Sequence, residues 1–252
     1  KQVNALTTLR DHPNGLTQTL LKGLDIKPTT LRALRDKGLV EIHEKEQSYP
    51  SWTKDNVLKE TCLTLNKQQQ HAVNTILNAE QRENNDGCKD NDKLAFATFL
   101  LNGVTGSGKT EVYLQIIEHV LRVGKQALVL VPEIGLTPQT LHRFQQRFNV
   151  PVLALHSNLT ANQRLAVWRQ ANAGSAAIII GTRSALFTPM KHPGLIIIDE
   201  EHDLSYKQQD GFRYSARDMA IVRAKFENIP IILGTATPCF ESLNNAKEGR
   251  YH

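Results

Sequence analysis

The sequence is poor in cysteine, in aromatic residues and in long apolar runs, and each shortage closes off a class of protein. Three cysteines occur among 252 residues, Cys62, Cys88 and Cys239, and none stands at a paired spacing. A disulfide framework and a cysteine zinc site are both excluded as organising features, and a reduced, cytoplasmic setting is the expectation. No apolar run approaches the ~20 residues that a membrane-spanning helix needs, and no signal-peptide pattern opens the chain. A net charge of +5 permits a polyanionic partner without demanding one. The hydrophobic content of 40% is enough to bury the core of one large domain with a small one beside it.

What the chain does contain is a glycine-framed turn, Gly103-Val104-Thr105-Gly106-Ser107-Gly108-Lys109-Thr110. This is a phosphate-binding loop. Residues 96–101 before it are apolar, as in a buried strand, and Tyr113, Ile116, Ile117, Val120 and Leu121 follow at helical spacing until Gly124. Strand, turn and helix supply the required context, because backbone N–H groups of the turn and the helix N-terminus cradle anionic oxygens. Lys109 is placed to reach the β- and γ-phosphates of a nucleotide, with Gly103, Thr105, Gly106, Ser107 and Gly108 around them. Thr110 is placed to ligate magnesium.

Ahead of this loop, residues 1–60 read as a small helical domain with a connector, and 61–252 as a second, larger domain. In the first, Val3, Leu6 and Leu9 share a helical face, Pro13-Asn14-Gly15 makes a turn, a short helix surrounds 18–22, and Pro28 opens a helix that buries Leu31 and Leu34. A short strand at 39–42 follows. Three helices and a strand resemble a winged helix. Arg32, Arg35 and Lys37 avoid the apolar face of the third helix, as a DNA-contacting helix requires; a solvated basic face on a protein-docking module accounts for them equally well. Ser48-Tyr49-Pro50-Ser51 reads as the connector, with Trp52 available to pin it.

In the second domain, Gln69 opens a helix upstream of the phosphate loop, where its amide can read an adenine edge by donating and accepting together. Residues 80–93 are rich in asparagine and aspartate with almost nothing apolar, and read as a surface loop. Beyond the phosphate loop, β-branched runs recur at 127–131, 152–155, 177–180, 195–198 and 231–233, with helical patterns between them. One such helix is entered at Thr137-Pro138. This alternation predicts an α/β fold, a RecA-like domain with a mostly parallel sheet whose ligands gather at the carboxyl ends of the strands.

The run at 195–198 ends in Asp199-Glu200-Glu201-His202. Asp199 can hold the magnesium opposite Thr110, and Glu200 can deprotonate the water that attacks the γ-phosphate. His202 can link the hydrolysis site to another loop through an imidazole hydrogen bond, and Gly234-Thr235-Ala236-Thr237-Pro238 offers the hydroxyls of Thr235 and Thr237 as its partners.

Phosphate loop, acidic box and threonine loop, in this order, resemble motifs I, II and III of superfamily 2 helicases. The likeness is closer still to the PriA family of bacterial replication-restart helicases, which also matches Val131-Pro132-Glu133-Ile134-Gly135-Leu136-Thr137, Gly181-Thr182-Arg183-Ser184-Ala185 and the stretch 203–217. With the winged helix it covers nearly the whole chain. The resemblance implies an ATP-dependent DNA helicase moving 3′ to 5′ at stalled forks. Single-stranded and forked DNA, primosome proteins and single-stranded-DNA-binding protein are its implied partners. It implies single-strand contacts at Thr137, Thr182, Arg183 and Ser184, whose hydroxyls, N–H groups and guanidinium suit phosphate. It also implies an aromatic-rich DNA-sensing loop at 206–214. There Tyr206, Phe212 and Tyr214 can stack on bases while Lys207, Arg213 and Arg217 meet phosphates; the alternative is that Phe212 and Tyr214 pack beneath the loop.

The first residue is Lys1 and the chain stops at His252 soon after the threonine loop, so it reads as a fragment. The family's second motor lobe, with an arginine completing the ATP site and zinc-binding cysteines, and its amino-terminal DNA 3′-end domain are expected in the parent protein. On that reading the isolated fragment is nearly inactive. Two rival classes remain at this point: a winged-helix regulatory ATPase, and a DNA-binding module without helicase activity.

Overall fold

A first unit, Lys1–Ser48, and a second, Tyr49–His252, divide the chain in the computed structural model, which describes residues 2–12, 15–43, 52–78 and 95–252. The first unit shows helices α1 (Gln2–Arg10), α2 (Gln18–Gly23) and α3 (Pro28–Asp36). Thr17 caps α2 by accepting from Leu20 N, and Pro28 stands in the first turn of α3, where a missing N–H costs nothing. Ala5, Leu21, Ile26, Leu31 and Leu34 form the core, with Leu6 and Leu9 packed against it. Val3, expected on the same face as Leu6 and Leu9, is exposed instead, because the buried position on α1 belongs to Ala5. The strand expected at 39–42 is not formed: residues 40–43 have no ladder partner among the described residues. An extended segment without a partner has nothing to pair its backbone groups. Pro13-Asn14, the connector at 48–51 and the loop at 80–93 lie outside the described residues.

In the second unit, α4 (Lys67–Leu77) precedes a six-stranded parallel sheet ordered β1-β8-β5-β2-β4-β3. Its strands are β1 (Thr98–Asn102), β2 (Gln126–Leu130), β3 (Val152–Leu155), β4 (Ile178–Gly181), β5 (Pro193–Ile198) and β8 (Ile231–Thr235). Between them run α5 (Lys109–Arg122), α6 (Pro138–Arg147), α7 (Ala161–Ala173) and α8 (Ala216–Glu227); α9 (Phe240–Lys247) comes last. A two-stranded hairpin, β6 (Lys207–Gln208) with β7 (Tyr214–Ser215), stands apart from the main sheet.

The β-branched runs become strands because both faces of the sheet are covered, so continuous apolar sequence is buried without alternation. Val129, Ile197 and Ile232 point to the layer of α4, α5 and α6, with Ile116, Ile117 and Phe144. Leu128, Ile196, Ile198 and Leu233 point to the opposite layer, with Ala171, Ala220 and Ala224. The segment from Trp52 lies on this unit: the Trp52 indole donates to Gly174 O at 3.2 Å and Val57 is buried in the core.

Candidate active site

The parallel register sets Asn102 beside Thr235 and Ile198 beside Leu233, so the residues that follow β1, β5 and β8 meet at one end of the sheet. That is where a sheet of this kind collects its ligands. Gly103 N donates to Thr235 O at 3.0 Å, tying the phosphate loop to the end of β8. Gly106 and Gly108 adopt φ of +80° and +83°, the left-handed region, and a Cβ on Gly108 would also strike the Gln69 amide. Lys109 Nζ donates to Gly103 O at 2.7 Å and lies 3.9 Å from Glu200 Oε1. Lysine, loop and box surround a cavity of about 540 Å³ that includes Thr105, Thr110, Arg143 and Asp199. A second cavity, about 680 Å³, shares those four residues with Glu200 and extends to His202 and Thr237. These sizes suit a small-molecule ligand.

Asp199 is held from two sides. Tyr113 Oη donates to its Oδ1 at 3.0 Å, and Tyr206 Oη donates to its carbonyl at 2.7 Å. Burial raises the Asp199 carboxyl above its usual range, with the Tyr113 hydrogen bond opposing that shift. Burial likewise keeps the Tyr113 phenol well above its ordinary value, so it remains a donor. Tyr113 also explains Gly234: a Cβ there would fall on the Tyr113 hydroxyl, with Cζ only 2.7 Å away. Asp199 and Thr110 line the same cavity, and a partly buried carboxylate with a hydroxyl is a donor pair that fits a divalent cation. Among the described residues no cluster of three or more His, Cys, Asp and Glu could hold a metal alone.

Glu200 and Glu201 diverge sharply. Glu200 has φ +48°, a left-handed conformation that costs a non-glycine residue on the order of 1–3 kcal/mol, and its side chain is one-third exposed beside the cavity. Glu201 is wholly buried and accepts from Arg217 Nη1 at 3.2 Å, Cys239 N at 2.9 Å and Ser242 Oγ at 3.1 Å. This polar knot was not read from the sequence, where Glu201 carried no role. Arg217, expected to meet phosphate, is instead committed to Glu201 and Asp218. Burial alone would lower its pKa, but the two carboxylates raise it.

His202 Nδ1 lies 2.8 Å from Thr235 Oγ1, the same oxygen that accepts from Thr237 N at 3.1 Å. The box and the threonine loop are thus joined through the residues read for that task, with Thr237 contributing its backbone rather than its hydroxyl. Gln69 stands against the phosphate loop with its amide already engaged: Nε2 donates to Ser107 O and Oε1 accepts from Asn66 N, both at 2.9 Å. The second bond closes a capping box at the start of α4.

The residues expected at a single strand are spread along the same end of the sheet. Thr137 is exposed and caps α6 by accepting from Thr140 N, whereas Thr182 is buried and Ser184 half-buried. Arg183 Nη1 donates to Ser205 O at 2.9 Å and Lys207 O at 3.0 Å. Tyr206 is 2% exposed, so it is a structural ring under the hairpin and not a stacking platform. Phe212 is 80% exposed, and Lys207 and Arg213 are exposed beside it. Tyr214 is half-buried and touches two rings, Phe212 at a centroid distance of 6.1 Å and Phe187 at 5.2 Å. Phe187 was missed in the sequence, where it lies far from the aromatic stretch. In the first unit Arg32 is exposed, while Arg35 is bonded to Asp36 and Lys37 to Gln2.

A family profile described as DEAD/DEAH box helicase matches residues 66–246. The replication restart protein PriA of Haemophilus influenzae is 51% identical over 232 residues, which is 90% of this chain and 30% of that protein. Its counterpart in Bacillus subtilis is 42% identical over 255 residues, all of this chain and 30% of that protein. The chain thus spans about 30% of the length of these curated relatives. Among solved structures, RecG bound to a three-way DNA junction is 24% identical over 75% of this chain and 23% of its own, with a TM-score of 0.51. That likeness shows a shared fold.

Proposed function

Because the chain belongs to the DEAD/DEAH box helicase family, we propose that its second unit is the first motor lobe of an ATP-driven DNA helicase that moves 3′ to 5′ and restarts stalled replication forks. The observation that carries this reading is the His202–Thr235 hydrogen bond at 2.8 Å. It ties the acidic box to the end of the strand that also holds Gly103, a link that a nucleotide-binding domain with no motion to transmit does not need. The relatives named PriA, matched over 90% and 100% of this chain, support the restart setting.

Bound ATP supplies the phosphoanhydride whose hydrolysis drives movement. Lys109 is the cation for its β- and γ-phosphates, Thr110 and Asp199 hold magnesium, and Glu200 takes the proton of the attacking water. Gln69 tethers the loop and reads adenine by exchanging one of its present partners. Thr137, Arg183, Lys207, Phe212, Arg213 and Tyr214, joined by Phe187, form the single-strand face; Thr182 and Ser184 contribute backbone there. The first unit is a winged helix that meets duplex DNA through Arg32, with Arg35 as a secondary contact. Primosome proteins and single-stranded-DNA-binding protein are the partners, in the cytoplasm.

The test uses the full-length parent protein with forked DNA. Lys109→Ala should abolish unwinding while sparing most fork binding, and unwinding that survives it would refute the motor assignment.

A further inference from the structure

Between the single-strand face and the acidic box runs a continuous set of contacts centred on Tyr206. Arg183 Nη1 donates to the carbonyls of Ser205 and Lys207, the two residues that flank Tyr206. Asp203 Oδ1 accepts from Ser205 N at 2.8 Å and fixes the start of the same turn. The Tyr206 hydroxyl donates to the carbonyl of Asp199, which is the peptide unit leading into Glu200. Glu200 itself is held in the left-handed region at φ +48°. Its own carbonyl accepts from Asp203 N at 2.9 Å, and the next residue's N–H donates to Gly234 O at 3.0 Å. A strained backbone of this kind persists only where its surroundings fix it. Among the described residues backbone hydrogen bonds hold it from both sides, and the Tyr206 hydroxyl adds a side-chain bond to the peptide that leads into it.

We propose that Tyr206 is a positioning residue for Glu200, acting through the Asp199–Glu200 peptide, and that Arg183 sets Tyr206 by clamping the carbonyls on either side of it. This rests on the motor reading above. Among the described residues Nη2 of Arg183 has no hydrogen-bond partner, so a DNA phosphate can draw on the guanidinium that holds the turn. A bond between guanidinium and a phosphate anion, charged on both sides, is stronger than the cation-to-carbonyl bonds to Ser205 and Lys207 that it would loosen. The carboxylate of Glu200 would then be re-aimed from the DNA side without any residue of the nucleotide cavity touching DNA.

The experiment is Tyr206→Phe in the full-length protein, which removes one oxygen and keeps the buried ring. At saturating single-stranded DNA, kcat for ATP hydrolysis should fall about tenfold, the worth of one net hydrogen bond, while KM for ATP and DNA affinity stay within about twofold. Unchanged kcat, or a loss confined to KM or to thermal stability, would overturn the proposal. Arg183→Lys should lower kcat in the wild-type background and have little further effect beside Tyr206→Phe; additive losses would break the relay. Should Tyr206→Phe fail to fold, Arg183→Lys alone gives the answer by the same split of kcat from KM. A wild-type protein without DNA-stimulated hydrolysis counts against the motor reading itself. A stimulated wild type beside an unaltered Tyr206→Phe counts against this inference only.

Discussion

Glu200 and Glu201 are neighbours with the same side chain, and they divide the acidic box into two regions of opposite character. On the Glu200 side the box opens to a cavity, with Lys109 and His202 nearby and a strained backbone that aims a carboxylate at solvent. On the Glu201 side it closes on Arg217, Cys239 and Ser242, and the Glu201 side chain itself is fully buried. The contrast teaches that charge after a strand has no single meaning. One acid is left open to the cavity, and the other is bound into the scaffold beside it.

The comparison breaks most visibly at Glu200. Glu200→Gln should lower ATP turnover of the full-length protein by roughly 10²- to 10⁴-fold with nucleotide affinity and melting temperature nearly unchanged. Steady-state hydrolysis and a fluorescent-nucleotide titration read the two quantities. Glu201→Ala should do the converse, taking the acceptor from Cys239 N and Ser242 Oγ and leaving Arg217 only Asp218, and so destabilising the second unit by about 3–5 kcal/mol in denaturant unfolding. An unaltered midpoint for Glu201→Ala would erase the distinction between the two acids.

Smaller effects sharpen the open side. His202→Ala removes one hydrogen bond to Thr235, so base pairs opened per ATP should fall severalfold while hydrolysis falls less. Parallel unwinding and phosphate-release assays give that ratio. The smallest effect lies at Asp203, whose carboxyl is held below its usual range by hydrogen bonds from the side chain and backbone of Ser205. A depressed pKa contributes stability above the ordinary carboxylate value, and that contribution is lost as pH falls through the depressed one. Asp203→Asn keeps an acceptor but cannot titrate. Its melting temperature should therefore drop less than that of the wild type between neutral pH and about pH 3.

The phosphate loop, the acidic box and the strand pattern were legible because each depends on local chemistry: glycines at left-handed turns, β-branched runs buried on both faces, polar residues at strand ends. His202 and Thr235 were legible for a related reason, since Thr235 ends β8, His202 follows the end of β5, and parallel register brings such ends together. Tyr206, Arg217 and Phe187 were not. Tyr206 and Arg217 lie in an aromatic and basic stretch that looks uniformly exposed, and only tertiary packing buries one ring while leaving Phe212 open. Phe187 joins Tyr214 across a separation of chain that no periodicity bridges. The strand expected at 39–42 differs for the opposite reason: its residues are strand-like, but among the described residues they have no ladder partner, which composition cannot supply.

Gly234 carries a consequence for how such a chain can change over generations. Its missing side chain is dictated from α5, where the Tyr113 ring and hydroxyl fill the space a methyl group would need. An alanine can arise at 234 only after a smaller side chain has arisen at 113, and that earlier step takes from Asp199 its hydrogen bond. The two positions are thus constrained together, and the route between their alternatives passes through an Asp199 carboxylate that has lost this hydrogen bond.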